Sequence, residues 1–275
     1  MNLSLLELLR CPYCGTRLSL VDNISLKRVR STIDCGVLGC ECCAFPVVSG
    51  IPTLIANDRT REAVRALEAG HHETALFILL DLADETRSTA FRRLLANDSK
   101  PTYRDALDIL SRDAEGTYFI YRFSDPTYLT AETLLRTVTQ HQTKSKHWLD
   151  LCGGSGHLTR VFTDINPDRK ADCFNVLVDV TFWKLWLAAR FTAPRCTPVC
   201  CDANHPLPIV DDIFQMILLS DAFPYIWHKR LLANEMTRII NSDGVIVMPH
   251  LHSALGNNMS AGNTLTPASY QNLFQ

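Results

Sequence analysis

The chain has 275 residues, with 27 Lys and Arg against 29 Asp and Glu, a formal net charge of −2, and 47% hydrophobic residues. That length accommodates one sizeable α/β core and one small module. The near-neutral balance excludes a protein held mainly by phosphate contacts, and no apolar run reaches the roughly 18 residues of a membrane span. Eleven cysteines without a secretory signal point to a reducing compartment, and the expected location is cytoplasmic.

Residues 1–57 read as a metal-stapled module. Cys11-Pro12-Tyr13-Cys14-Gly15 is a cysteine knuckle, with glycine permitting the tight turn behind two thiolates. Cys40-Glu41-Cys42-Cys43 supplies the second half. Two such pairs separated by a β-rich hairpin make a tetrahedral zinc site, which a segment this small needs as a cross-link. The ligands are Cys11, Cys14, Cys40 and one of Cys42 or Cys43, with Cys35 set aside as a core residue. Lys27, Arg28 and Arg30 read as a solvated turn. The segments Leu5-Leu6-Glu7-Leu8-Leu9-Arg10-Cys11-Pro12-Tyr13-Cys14 and Ala44-Phe45-Pro46-Val47-Val48-Ser49-Gly50-Ile51-Pro52 resemble the zinc ribbon of the methyltransferase-activator subunit family. The resemblance implies Cys42 as the fourth ligand, and a structural or partner-docking role for the ribbon.

Residues 58–144 carry helical periodicity, clearest over 75–82 and 90–95, and predict four or five helices forming a lid or one wall of a pocket. The aromatic stretch from Tyr118 to Tyr128 reads as interdomain core in preference to a pocket for a flat apolar substrate. His71-His72 reads as a solvated helix start.

Residues 145–275 alternate short apolar runs with helical stretches. His147–Leu151 is a buried strand leading into Cys152-Gly153-Gly154-Ser155-Gly156, a turn rich in glycine. Strands follow over Phe174–Asp179, Thr197–Ala203, Ile213–Leu219 and Gly244–Met248, separated by helices over Gly156–Asn166, Phe182–Phe191 and His228–Ile240. The fold class is therefore α/β: a Rossmann-like doubly wound parallel sheet with an N-terminal zinc-ribbon module and a helical insertion. Such sheets bind ligands at the carboxyl ends of their strands. An acid ending the second strand, Asp179, can accept both hydroxyls of a ribose, and Asp202 can accept from an adenine amino group.

The segment Asp150-Leu151-Cys152-Gly153-Gly154-Ser155-Gly156 stands where class I S-adenosylmethionine (AdoMet) dependent methyltransferases carry D-x-G-x-G-x-G, and residues from about 145 to 250 resemble that family. The resemblance implies that Asp150, Cys152, Gly153, Gly154 and Gly156 hold the methionine end of AdoMet. It implies Asp179 for the ribose and Asp202 beside the adenine, with Ala203 and Ser220 in the same site. Cys152 departs from the usual glycine. Asp221, Tyr225, His250 and His252 fall at the carboxyl ends of strands four and five, where an acceptor and a base for its proton belong. The expected reaction is methyl transfer to a small-molecule acceptor. RNA base methylation and a non-catalytic scaffold that docks a partner are the alternatives. Nucleic acid is disfavoured by charge, and a homo-oligomer or protein partner is left open. The sheet is expected to lack the last strands usual for the family, since only residues 253–275 follow His252.

Overall fold

A computed structural model describes residues 1–96, 100–111, 115–140, 147–165, 173–257 and 262–275. The chain begins with a one-turn helix, α1 (Leu3–Leu6), and five strands: β1 (Ser19–Val21), β2 (Lys27–Val29), β3 (Thr32–Gly39), β4 (Ala44–Val48) and β5 (Ile51–Pro52). They pair antiparallel about the long β3, which lies between β1 and β4, while β5 follows β4. Met1, Leu5, Ile33, Leu38, Phe45 and Val47 bury one face of this ribbon.

Six helices follow among the described residues: α2 (Asp58–Glu68), α3 (His72–Leu79), α4 (Glu85–Ala96), α5 (Tyr103–Leu110), α6 (Glu115–Tyr121) and α7 (Pro126–Thr139). The sequence predicts four or five. The local signals behind the rest are strong: Asn57 with Thr60 and Thr102 with Asp105 form reciprocal capping boxes, and Asp125 caps α7 ahead of Pro126 at its first turn. His72 is not merely solvated. Its Nε2 lies 2.9 Å from the Ser25 carbonyl oxygen and ties α3 to the ribbon.

The main sheet comprises β6 (His147–Leu151), β7 (Phe174–Asp179), β8 (Thr197–Cys200), β9 (Phe214–Leu218) and β10 (Ile240–Val247). All pairs are parallel, in the order β10-β9-β6-β7-β8. This is a doubly wound sheet whose order reverses between β6 and β9. The inner strands β6, β7 and β9 are mostly apolar because both faces are buried, whereas the edge strand β10 carries Asn241, Ser242 and Asp243. Leu149, Leu151, Val176, Val178 and Ile217 face one core, and Trp148, Met216, Leu218 and Leu177 face the other side. Helices α8 (Thr159–Ile165) and α9 (Phe182–Leu187) cover the second face, and α10 (Lys229–Ile239) covers the first.

Four element boundaries differ from the sequence reading by three residues or more, one being that of β8, which ends at Cys200 and not at Ala203. The helix after the glycine turn starts at Thr159 because Gly154 and Gly156 have left-handed φ of 57° and 78°; its expected end at Asn166 lies outside the described residues. Helix α9 gives way at Ala188 to a wider turn through Thr192. Strand β10 begins at Ile240, with a register shift before Val245.

The ribbon is not a separate bead. Thr53 bridges Cys200 in parallel, with the Leu54 N–H donating to the Cys200 carbonyl at 2.7 Å, and so extends the edge of the main sheet beyond β8. Leu9 bridges Ile209 in the link between β8 and β9. Leu5, Leu9, Phe45 and Leu54 share one core with Val199, Leu207, Ile209 and Met236. The ribbon thus covers the face that a crossover helix between β8 and β9 would otherwise cover.

Candidate active site

The turn after β6 is shaped by two contacts. A Cβ on Gly153 would lie 2.5 Å from the Asp150 carboxyl carbon, so only glycine lets the chain pass over that side chain. The Gly154 N–H donates to Asp179 Oδ2 at 2.9 Å, which joins the turn to the end of β7. Cys152 sits at φ 58°, the left-handed conformation in which glycine is at ease, so the variant residue keeps the turn geometry at a steric cost.

Above this turn is a cavity of about 320 Å³ at the carboxyl ends of β6, β7, β8 and β9. It spans the switch point, where open α/β sheets bind ligands. Asp150, Cys152, Gly153, Gly154, Asp179, Asp202, Ala203, Ser220, Asp221 and Tyr225 all line it. Gly156 does not; it packs under the turn against Ala188, Thr192 and Ala193. The helical segment supplies the opposite wall through Tyr118, Phe119 and Arg122. The aromatic stretch is therefore divided: Tyr118 and Phe119 line the cavity, and Phe123 and Tyr128 pack inward around His157.

Four carboxylates line the cavity, from Asp150, Asp179, Asp202 and Asp221, against the cations Arg122 and Lys184. Burial pushes the Asp150 carboxyl up to about 7, although the Thr159 hydroxyl donates to it at 2.6 Å. Burial likewise raises Asp179, opposed by the nearby Lys184 and by N–H donors from Thr181 and Gly154. Asp202 accepts from the Asn204 N–H at 2.8 Å, and its other oxygen lies 3.3 Å from His205 Nδ1. His205 in turn packs against Tyr13 of the cysteine knuckle, ring centroids 5.8 Å apart, so the ribbon touches the Asp202 loop.

At the far end, Asp221 Oδ1 lies 2.8 Å from His252 Nε2 and 3.9 Å from His250 Nε2. Its second oxygen faces the buried Arg122 guanidinium at 3.9 Å. The two histidines stand behind Asp221 and are not part of the cavity lining. Among the lining residues without a role in the sequence reading are Arg122, His157 and Lys184. Arg122 is anchored by its bond to the Thr127 hydroxyl at 2.7 Å and lies over the Tyr118 ring. His157 Nδ1 contacts the Ser155 hydroxyl at 3.2 Å, and burial holds its imidazole down at about 4, hence neutral at pH 7. His157 lies inside the glycine motif; Arg122 had no local signal, because helix packing brings it to the sheet.

In the ribbon, Cys11, Cys14, Cys40 and Cys42 bring their sulfurs within 4.8 Å of one another. Individual separations are 3.8 Å for Cys11–Cys42 and 3.7 Å for both Cys14–Cys40 and Cys40–Cys42. A zinc–sulfur bond of about 2.3 Å in a tetrahedron requires sulfurs about 3.8 Å apart, so the donor set fits Zn²⁺. Cys43 contributes its backbone instead, donating its N–H to Cys40 Sγ at 3.3 Å. Cys35 is buried in the ribbon.

No family model matches the chain, and no curated protein matches it. Among solved structures, it is similar to the YcgJ protein from Bacillus subtilis at 18% identity and a TM-score of 0.46, over 53% of this chain and 66% of that one. A plantazolicin methyltransferase solved with S-adenosylhomocysteine is similar at 15% identity and a TM-score of 0.45, over 69% and 76% of the two chains. So is a chain of the complex that contains the Haloferax volcanii Trm112 methyltransferase activator, at 15% identity and a TM-score of 0.45, over 63% and 74%. The chain thus spans just under two-thirds of the length of the YcgJ protein. No helix among the described residues is long and apolar enough to cross a membrane.

Proposed function

We propose that this chain binds AdoMet and transfers its methyl group to a small-molecule acceptor. One observation carries the reading: four carboxylates against two cations around a switch-point cavity. A dinucleotide would press a pyrophosphate against those acids, whereas AdoMet brings a sulfonium and an ammonium. Bound AdoMet supplies a methyl carbon made electrophilic by its positive sulfur. Asp150 and the turn from Cys152 to Gly154 receive the amino-acid end, and Gly156 supports that turn from below. Asp179 accepts from the ribose diol, and Asp202 with Ala203 borders the adenine. Ser220 closes the cavity beside the methyl position.

The acceptor enters between the sheet edge and the helical wall, bordered by Tyr118, Phe119, Arg122 and Tyr225. Asp221, with His250 and His252 behind it, handles the proton that an O–H or N–H acceptor must lose. Positioning carries most of the rate, since in-line displacement needs only the two reactants held in register. The acidic lining disfavours a polyanionic acceptor such as RNA. The cysteine cluster holds one structural zinc, which fixes the ribbon against the Asp202 loop.

Calorimetry with AdoMet, its demethylated product and NAD tests this reading. The two sulfur compounds should bind and NAD should not. Binding of NAD without AdoMet would end it.

A further inference from the structure

We infer that Asp221, His250 and His252 form a binding site for a first-row divalent metal ion at the acceptor end of the cavity. Each offers one donor atom, and the three atoms lie within 4.8 Å of one another. Both imidazoles point Nε2 at the same carboxylate oxygen, at 2.8 and 3.9 Å. A metal held at about 2.1 Å places neighbouring donors about 3.0–3.4 Å apart, and the two contacts bracket that edge. Two imidazoles and one carboxylate on one side of an ion suit Mn²⁺, Fe²⁺, Co²⁺ or Zn²⁺ and leave positions open on the other side.

Three further observations support a built site. Asp221 and His250 both hold left-handed φ angles, 57° and 56°, which turn their side chains toward each other at the ends of neighbouring strands. The His252 backbone is braced from behind, since the Tyr270 hydroxyl donates to its carbonyl at 3.0 Å. The side chains remain reachable, at 20–36% exposure. The nearest cation, Arg122, addresses Asp221 Oδ2 and leaves Oδ1 toward the histidines. Tyr118 and Tyr225 line the same cavity as Asp221.

This inference rests on the methyltransferase reading for its chemistry but not for the binding itself. The open positions would hold an acceptor with adjacent oxygen or nitrogen donors, such as a vicinal diol, a hydroxy acid or a catechol. An ion there would lower the proton affinity of a bound hydroxyl, and the histidines would then aid proton loss by holding the ion, not by accepting the proton themselves.

The test uses the full chain with its zinc in place. Mn²⁺ is titrated into the protein and followed by electron paramagnetic resonance, because Mn²⁺ does not displace zinc from thiolates. One saturable site is expected, and His252→Ala, His250→Ala and Asp221→Asn should each weaken it at least about tenfold. Zinc content and the thermal transition, measured on the same samples, verify that the variants are folded. No saturable Mn²⁺ or Co²⁺ binding, or binding that all three folded variants retain, would overturn the site. AdoMet affinity measured in parallel separates the two ideas: Mn²⁺ bound at these residues without AdoMet binding sinks the methyltransferase reading and leaves the metal site standing.

Discussion

Two clusters of metal-type donor atoms differ in design. In the ribbon, four cysteine sulfurs from two short sequence pairs close a tetrahedron. At the carboxyl end of the sheet, one carboxylate that follows β9 meets two histidines that follow β10, and of the three only Asp221 lines the cavity. A closed soft-donor site suits structure, and an open site of nitrogen and oxygen suits chemistry. The comparison also separates two kinds of information. The first cluster is written locally and needs only a hairpin; the second exists only because adjacent parallel strands end side by side.

Removing the closed cluster should have the largest effect. Cys14→Ser should lose the zinc and cooperative folding of the whole chain, because the ribbon and the main sheet share one core. Structural zinc contributes on the order of 10 kcal/mol in small modules. Metal analysis with calorimetric unfolding measures this, and full stability without zinc would show that the ribbon folds on packing alone.

Breaking the open cluster should spare the fold. His252→Ala should lower turnover by ~10²–10⁴ with AdoMet affinity nearly unchanged. Equal losses in both would instead mark His252 as a support for the cofactor side.

On the cofactor side, Asp179→Ala should weaken AdoMet by about 1.5–3 kcal/mol in calorimetry, the scale of a charge-assisted hydrogen bond. Unaltered affinity would move the ribose elsewhere.

Proton linkage gives a smaller effect. Burial raises the Asp150 carboxyl to about 7, so the protonated form is favoured in the free protein at lower pH. An ammonium ligand needs it ionised. AdoMet affinity should therefore fall by up to about tenfold per pH unit below 7 and level off above it. The same shift makes Asp150 a stabilising contribution that is lost as pH rises from the ordinary carboxylate range through about 7. Asp150→Asn should flatten the binding profile, and an unchanged profile would assign the proton to another group.

The smallest effect concerns the turn itself. Cys152→Gly relieves a left-handed residue and should stabilise the chain by ~1 kcal/mol in thermal unfolding, after the entropy cost of glycine. Destabilisation would mean that thiol packing outweighs the strain.

The sequence by itself determined the elements whose information is local. The knuckle spacing, the glycine turn and the apolar strands, the first three with an acid at or near their ends, specify a ribbon and a parallel sheet. Asp150, Asp179 and Asp202 fall at strand ends in the sequence and line one cavity in the structure. Cys42 and Cys43 could not be separated by spacing, because adjacent residues in a turn differ only in which way the chain points them. Only the tertiary structure decided that Gly156 lies beneath the turn, that Arg122 and His157 reach the cavity, and that His250 and His252 stand behind Asp221. It also decided that the ribbon shares its core with the sheet, covering the link from β8 to β9. These depend on contacts between segments far apart in the chain, and such contacts arise from burying two apolar faces against each other, which periodicity reveals for each face but not for the pair.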